Sequence, residues 1–238
     1  MKVAIHQPEF FPWLGFFHKM SLSDTFVLLD TVQFEKNNWQ NRNKILMAGN
    51  SEWLSLPIEK HSLHTLIQDI KINWSDDKLI KKHLSSLEQN YTKCKFFVEL
   101  FPFLQELYNK KLENLADFNT EFITWMATAL GIETKILRAS ELALSGEAAG
   151  GTDVTLEICK ILGADMYVSG SGAKVYLDIN KYQNENIQVY FQDFHHPAYT
   201  QKGSKEFVSH LSIVDLYANH GPQSLSIIQE GNDKKETI

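Results

Sequence analysis

The chain has 238 residues, of which 43% are hydrophobic, and its formal net charge at pH 7 is −6. This length and apolar content suffice for a domain with a substantial core. The acidic charge disfavours binding along a nucleic-acid backbone, which requires a basic face. No apolar run approaches the roughly 18 residues of a membrane span, and residues 6–9 interrupt any secretion signal. We therefore expect a cytoplasmic protein without a membrane span and without nucleic acid as its primary ligand.

The first 30 residues have the pattern of a β-strand, a helix and a second strand. Residues 3–5 are a short apolar run that predicts the first strand, and residues 12–20 predict a helix with proline in its first turn. Residues 25–30 are almost wholly apolar, as in a strand that is covered on both faces. These three elements predict a βαβ unit of minimum length.

The next 40 residues are more polar. Residues 31–50 are rich in asparagine, which predicts a structured loop. Residues 52–57 and 67–72 alternate between apolar and polar side chains, and this period of two predicts two strands.

Residues 76–130 change to a helical period, with three successive apolar faces at three- and four-residue spacing. The strand pattern then returns at residues 134–138, 166–168 and 187–191, with helices predicted at 152–162 and 211–219. We therefore predict an α/β fold with a Rossmann-like, mostly parallel sheet and a helical insertion. The predicted organisation is one domain over 1–228, with a helical sub-domain at about 76–130 and a polar tail at 229–238.

Candidate ligand-binding side chains follow the first predicted strand. His6 and Gln7 come at its end, and Trp13 stands at the start of the next helix. Ligands of open α/β sheets bind outside the carboxyl ends of strands, beside helix N-termini that attract anions. His6 is therefore either a ligand contact or acid–base group, or a side chain that ties the loop to backbone carbonyls.

A second group of polar residues follows the second predicted strand. Asp30 ends that strand and is expected at the same sheet edge as His6. Arg42 offers a guanidinium fork suited to a carboxylate or a phosphate. The asparagines beside it either contact the ligand or hold the loop through side-chain to backbone hydrogen bonds, and both roles are compatible. The candidate substrate-binding residues of this group are Gln33, Trp39, Asn41, Arg42 and Asn43.

Two further groups occur late in the chain. Residues 169–174 are small and end in a lysine, so they predict either a phosphate-binding loop or a plain glycine turn, and they lack P-loop spacing. Residues 192–201 concentrate aromatic and ionisable side chains, but the adjacent histidines lack partners at metal-ligand spacing. We therefore expect no metal, and the sequence identifies no cofactor. The candidate substrate-binding residues are Ser169, Gly170, Lys174, Tyr176, Asp178, His196, Tyr199 and Gln201.

These groups together resemble the WbqC-like proteins, which are found in bacterial polysaccharide and O-antigen gene clusters. The resemblance extends over about residues 3–221 and rests on these segments: 5–8, 11–17, Asp24, Phe26, Val27, Asp30, 32–34, Trp39, 41–45, 169–170, 176–178, 191–192, Pro197, Tyr199, Gln201 and 211–215. It implies an enzyme that modifies sugars for surface glycans such as lipopolysaccharide, with aminoacyl transfer, for example of glycine, suggested for some members. A nucleotide-linked amino sugar and an acyl or aminoacyl donor would be its substrates. On this interpretation His6 and Asp30 are the candidate catalytic residues, with His6 as the base, and Arg42 holds a carboxylate or diphosphate.

A looser similarity connects the first strands to pantothenate-synthetase-type ligases and related nucleotidyltransferases. Those enzymes carry a His-x-Gly-His loop after the first strand, whereas this chain has Phe10, Phe11, Pro12 and Trp13 there. An ATP-dependent ligase or nucleotidyltransferase is therefore the first alternative, without that family's two catalytic histidines. A non-catalytic binding protein of a glycan pathway is the second.

Overall fold

The computed structural model of the protein describes residues 1–75, 77–146 and 151–230, apart from the side chain of Asp77. These residues form the following strands: β1 (Lys2–His6), β2 (Thr25–Leu28), β3 (Arg42–Met47), β4 (Asn50–Ser55), β5 (Lys135–Arg138), β6 (Met166–Gly170) and β7 (Gln188–Gln192). They also form these α-helices: α1 (Leu14–Ser21), α2 (Asp77–Tyr91), α3 (Phe97–Asn109), α4 (Leu115–Leu130), α5 (Gly151–Leu162), α6 (Ile179–Asn184), α7 (Ile213–His220) and α8 (Ser224–Gln229).

Five strands form a parallel sheet in the order β5-β2-β1-β6-β7. The strand order reverses at β1, since β2 and β5 lie on one side of it and β6 and β7 on the other. The crevice between the carboxyl ends of β1 and β6 is therefore the topological switch point of a doubly wound sheet. This architecture confirms the predicted Rossmann-like α/β fold.

Hydrophobic clusters cover both faces of the sheet. Ala4 belongs to a large cluster with α1, α3 and α4, whereas its neighbours Val3 and Ile5 belong to a second cluster with α5 and α6. Successive side chains of a strand point to opposite faces, so β1 must be apolar throughout to fill both cores. This explains why its sequence shows a continuous apolar run rather than alternation.

The three helices predicted between residues 76 and 130 are present as α2, α3 and α4. Their buried side chains, including Leu104 and Phe122, belong to the same hydrophobic cluster as Ala4 and Phe26 of the sheet. Phe11, from the loop after β1, packs against Phe122 with ring centroids 4.4 Å apart. The helices therefore share a core with the sheet and with the loop that follows β1. Residues 231–238 of the predicted tail lie outside the described residues.

Two predictions between residues 31 and 72 were wrong. The segment 31–50 was expected to be a loop, but it contains β3, which pairs with β4 in an antiparallel hairpin. Asn43 on β3 is buried in place of an apolar residue, so the strand has no clear apolar alternation. The segment 67–72 was expected to be a strand, but it begins with a 3₁₀ turn at Ile67–Asp69 and makes only isolated β-bridges thereafter.

Candidate functional site

A cavity of about 390 Å³ opens at the switch point. The ends of three neighbouring strands line it: His6 and Gln7 at the end of β1, residues 169–172 at the end of β6, and Gln192 at the end of β7. Helix α1 forms one wall. Open α/β sheets bind small ligands at this position, so the cavity is the candidate functional site.

His6 is half-buried at the edge of this cavity. Its Nδ1 lies 3.0 Å from the carbonyl oxygen of Gln7, and because a carbonyl can only accept, the proton of the neutral ring is on Nδ1. The lone pair of Nε2 is then the acceptor of the ring. Burial, together with the positive charge of Lys19, lowers the pKa of His6 to about 3, so the imidazole is neutral near pH 7.

Two ionisable side chains beside His6 were missed in the sequence. Lys19 is 3% exposed, lines the cavity, and donates from Nζ to the carbonyl oxygen of Ile5 over 2.9 Å. Glu9 is 5% exposed, with Oε1 3.8 Å from His6 Nδ1. Burial raises the pKa of Glu9 to about 8 and lowers that of Lys19 to about 7. The sequence of α1 carries no clear signal of this burial, because a lysine in a helix usually lies on a solvated face.

Trp13, at the start of α1, also lines the cavity. Its indole packs edge-on against Phe194, with ring centroids 5.4 Å apart. The indole also lies directly over Gly15, so that a Cβ atom at position 15 would overlap the ring. The absence of a side chain at Gly15 therefore determines where the indole lies. Gln192 supports the same helix by donating from Nε2 to the Gly15 carbonyl oxygen over 2.8 Å.

The loop after β6 supplies the opposite wall. Ser169, Gly170 and Tyr176 line the cavity, with Tyr176 63% exposed. Lys174 does not line it, and its Nζ lies 5.5 Å from the centre of the Phe191 ring. Asp178 caps helix α6 by accepting a hydrogen bond from the Asn180 backbone N–H at 3.1 Å. The structure therefore brings the first part of the predicted loop to the site, but not Lys174 or Asp178.

Asp30 is fully buried and does not line the cavity. Its carboxylate accepts hydrogen bonds from Arg138 Nε at 2.7 Å, from the Ser140 backbone N–H at 2.9 Å and from Ser140 Oγ at 2.7 Å. Arg138 also donates a hydrogen bond from Nη1 to Asp117 of α4. These contacts join the end of β2 to the end of β5, on the side of the sheet away from the switch point. These contacts therefore indicate a structural role for Asp30, and its carboxylate does not line the cavity beside His6.

The two asparagines beside Arg42 hold the backbone. Asn43 donates from Nδ2 to the Phe11 carbonyl oxygen and Asn41 to that of Leu56, each over 2.9 Å. The loop-holding interpretation therefore fits both residues. Gln40, which the sequence did not single out, donates from Nε2 to Gln7 Oε1 over 2.6 Å. This bond joins the segment before β3 to the loop that lines the cavity.

Arg42 is the first residue of β3 and Trp39 precedes that strand, and neither lines the switch-point cavity. Arg42 and Asn41 line a separate cavity of about 700 Å³, while Gln33 is exposed beside it. The Arg42 guanidinium lies 4.3 Å from the centre of the Trp53 ring and donates to the Asn37 carbonyl oxygen. Trp39 packs against Trp53 with ring centroids 5.2 Å apart. Arg42 is therefore not positioned to hold a ligand beside His6.

The candidate residues of the last predicted group, His196, Tyr199 and Gln201, do not line the cavity, and two of them contact a buried carboxylate. Tyr199 Oη and Gln201 Nε2 donate to Asp215 Oδ2 over 2.8 and 2.9 Å. His196 contacts the Pro197 carbonyl oxygen through Nδ1, and its Nε2 accepts from the His210 backbone N–H. The structure therefore separates His196, Tyr199 and Gln201 from His6.

The described residues also limit two other kinds of site. In the ranges 1–75, 77–146 and 151–230, no three His, Cys, Asp or Glu side chains are grouped so that they could hold a metal ion. Within the same part of the chain, no helix is both long and apolar enough to span a membrane. Cys94 and Cys159 are buried free thiols.

The profile of the WbqC-like protein family matches residues 7–227, a range that includes Gln7, α1, both later cavity loops and all of the helical segment. The chain belongs to this family. One relative of this WbqC-like protein is the uncharacterized protein Rv1507c of Mycobacterium tuberculosis (strain ATCC 25618 / H37Rv), which is 29% identical over 225 residues. The alignment covers 94% of this chain and 95% of that relative. No solved structure matches the chain.

Proposed function

We propose that this WbqC-like protein transfers an acyl or aminoacyl group, with glycine among the candidates, to the amine of a nucleotide-linked sugar. The product would serve bacterial surface polysaccharide synthesis, with O-antigen as the example that the family resemblance suggests. The observation that carries the proposal is the position of His6 at the switch-point cavity. There the imidazole is neutral, with its proton on Nδ1 and the lone pair of Nε2 as acceptor.

In the proposed reaction, the amine nitrogen of the sugar attacks the acyl carbon of the donor. The new C–N bond forms as the bond from the acyl carbon to its leaving group breaks, and Nε2 of His6 accepts the proton that the amine loses. A pKa of about 3 makes His6 a weak base. A bound anion would oppose the positive charge that lowers this pKa, so we propose that ligand binding strengthens the base. Positioning of the two substrates would supply much of the remaining rate enhancement.

The test is to assay His6→Gln and His6→Ala with nucleotide sugars and candidate acyl donors. General-base catalysis typically contributes about 10²- to 10⁴-fold, so we expect turnover to fall by at least about 10²-fold. His64→Ala is the matched control, because His64 is exposed and does not line the cavity. Unchanged turnover in both His6 variants would remove His6 from the mechanism.

The ATP-dependent ligase or nucleotidyltransferase is the second candidate, and the strand order favours it. A doubly wound sheet binds nucleotides at the switch point, where this cavity lies. A ligand that binds only the folded state raises apparent stability, so this candidate predicts a higher melting temperature with millimolar ATP and magnesium. Absence of any shift would count against it.

A non-catalytic binding protein of a glycan pathway is the third candidate. It is supported by the separation of Arg42 and His196 from His6, because these candidate residues of two of the predicted groups do not line the cavity. Tight binding of a nucleotide sugar without transfer in any donor screen would favour this candidate.

A further inference from the structure

Lys19 and Glu9 are buried ionisable groups beside the cavity that the proposed transfer step does not use. Lys19 lines the cavity directly, whereas Glu9 lies behind His6. Burying an ammonium or a carboxylate is costly unless hydrogen bonds and opposite charges compensate it. The hydrogen bonds and ion pairs of these two groups therefore show whether the cost of burying them is compensated within the protein.

The compensation of both groups is incomplete in the described structure. The hydrogen bond of Lys19 Nζ goes to the neutral carbonyl oxygen of Ile5, and an ammonium has three N–H donors. Among the ion pairs of the described residues, none includes Lys19. Glu9 Oε2 is buried and has no hydrogen-bond partner within the same residues. Buried polar groups in native proteins are usually satisfied, so this exception requires an explanation.

We propose that Lys19 holds the anionic group of the ligand, a phosphate or a carboxylate, in the switch-point cavity. The inference rests on the proposed function only in placing the ligand in this cavity. An anion beside Nζ would form the close ion pair that Lys19 does not make with any described residue, while the hydrogen bond to Ile5 remains. The small residues 170–172 on the opposite wall leave space for an anion to approach the backbone. Lys19 thereby takes the role that the sequence suggested for Arg42.

Glu9 acts as a positioning residue in this arrangement. Its carboxyl group interacts electrostatically with Lys19, and this interaction raises the pKa of the lysine against the effect of burial. Removing the carboxyl group would leave Lys19 less readily protonated, so anion affinity in Glu9→Gln should fall less than in Lys19→Met. The readout specific to this role is a lower pH at which anion binding is half lost.

The experiment measures anion binding to the full chain by isothermal titration calorimetry. Inorganic pyrophosphate and acetate are the two anionic probes, which distinguish a phosphate from a carboxylate ligand, and uridine is a neutral probe. We expect the wild type to bind one of the anions, and Lys19→Met to bind it at least about tenfold more weakly. Lys19→Arg should retain affinity within about threefold, because the positive charge remains. Lys174→Met is the matched control and should bind like the wild type, since Lys174 does not line the cavity.

Three results would overturn the inference: no anion binding by the wild type, equal affinity in Lys19→Met, or an equal loss in Lys174→Met. A lower melting temperature of Lys19→Met with unchanged affinity would mean that Lys19 only fastens α1 to β1. If that variant does not fold, the Lys19 side-chain resonance of the wild type is followed by NMR during the titration. A resonance that does not move when anion binds would then refute the contact.

These outcomes are independent of the transferase test. Lys19-dependent anion binding without any acyl transfer would retain the anion site and reject the proposed function. Turnover that depends on His6, together with an anion affinity that is unchanged in Lys19→Met, would retain the proposed function and reject the anion site.

Discussion

The Asp30 carboxylate has no exposed surface, and its three described donors come from residues more than 100 positions later in the chain. A buried carboxylate of this kind contributes to stability by accepting hydrogen bonds from donors that would otherwise be unsatisfied. Its removal leaves Arg138 Nε and the Ser140 backbone N–H without their acceptor. Substitution of Asp30 is therefore expected to affect the stability of the fold, whereas substitution of His6 is expected to affect turnover.

We predict that Asp30→Ala lowers the free energy of unfolding by about 3 kcal/mol, because breaking a buried ion pair typically costs about 3–5 kcal/mol and Arg138 is partly exposed. Urea denaturation gives this value. Asp178→Ala is the control, since loss of an exposed helix cap costs only about 1 kcal/mol. A loss in Asp30→Ala no larger than that of the cap variant would contradict the structural role.

Glu9 makes a prediction about the pH dependence of stability. An unfolded chain releases this proton near pH 4.5, whereas burial retains it in the folded protein to about pH 8. The folded state then binds more protons over this interval, so Glu9 lowers the free energy of unfolding as the pH rises through it. Glu9→Gln lacks this effect, and its stability relative to the wild type should increase from the acidic to the basic end.

Urea denaturation at both ends of the interval measures this difference. Glu52→Gln, at an exposed position of β4, serves as the control and should show a constant difference from the wild type. A Glu9→Gln difference that is equally constant would show that the Glu9 carboxyl group titrates as it does in the unfolded chain.

At the scale of elements, α1 connects the core to the cavity. Its residues 14–20 are all buried, and its N-terminal end carries the Trp13 indole over Gly15. A substitution in the first turn of α1 is therefore expected to alter the shape of the cavity wall.

We predict that Gly15→Ala weakens binding of the cavity's ligand by about tenfold, because the new methyl group displaces the Trp13 indole. Titration with the anion that the wild type binds measures the effect. Gly151→Ala is a control with the same chemical change, since Gly151 does not line the cavity and its added Cβ would meet Tyr176 at an ordinary contact distance of 3.5 Å. Equal affinity in the Gly15 variant and the wild type would mean that the indole position does not matter for binding.

The sequence predicted the strands of the parallel sheet well, and the physical reason is local. A strand covered on both faces must be an apolar run, and such runs are visible without knowledge of partners. Strand β3 was missed because one of its buried positions is Asn43, whose amide is satisfied by the distant Phe11 carbonyl oxygen. A hydrogen bond across 32 residues leaves no trace in local periodicity.

The same distinction applies to the site. His6, Gln7, Trp13, Ser169, Gly170 and Tyr176 all line the cavity, because the ends of neighbouring parallel strands share one edge. Asp30 also follows a strand, but the direction of its side chain depends on its ion pair with Arg138, and local sequence does not show that pairing. Lys19 was overlooked because an isolated lysine in a helix usually lies on a solvated face. Only the packing of α1 against the sheet shows that it is buried.

At the scale of the whole molecule, the proposed anion site predicts a pH-dependent affinity. Burial lowers the pKa of Lys19 to about 7. Raising the pH through this value removes the positive charge that holds the anion, so anion binding weakens. Sulfate is the appropriate probe, because its charge is constant over this range.

We expect the affinity of the wild type for sulfate to fall as the pH rises through 7 and 8, by about tenfold per unit above the pKa of Lys19. Calorimetric titrations across this range measure the slope. Lys19→Arg should show a much shallower slope, because its guanidinium stays protonated. Parallel slopes in the two proteins would assign the pH dependence to other groups.

The contact between Trp13 and Gly15 also constrains how the family diverges. Any side chain at position 15 would overlap an indole at position 13, so the two positions form one steric unit. A relative that acquires alanine or serine at the second position should therefore have a smaller residue at the first. Substitutions at these two positions should be inherited together, and lineages that changed both would be expected to have a reshaped cavity and a different ligand preference.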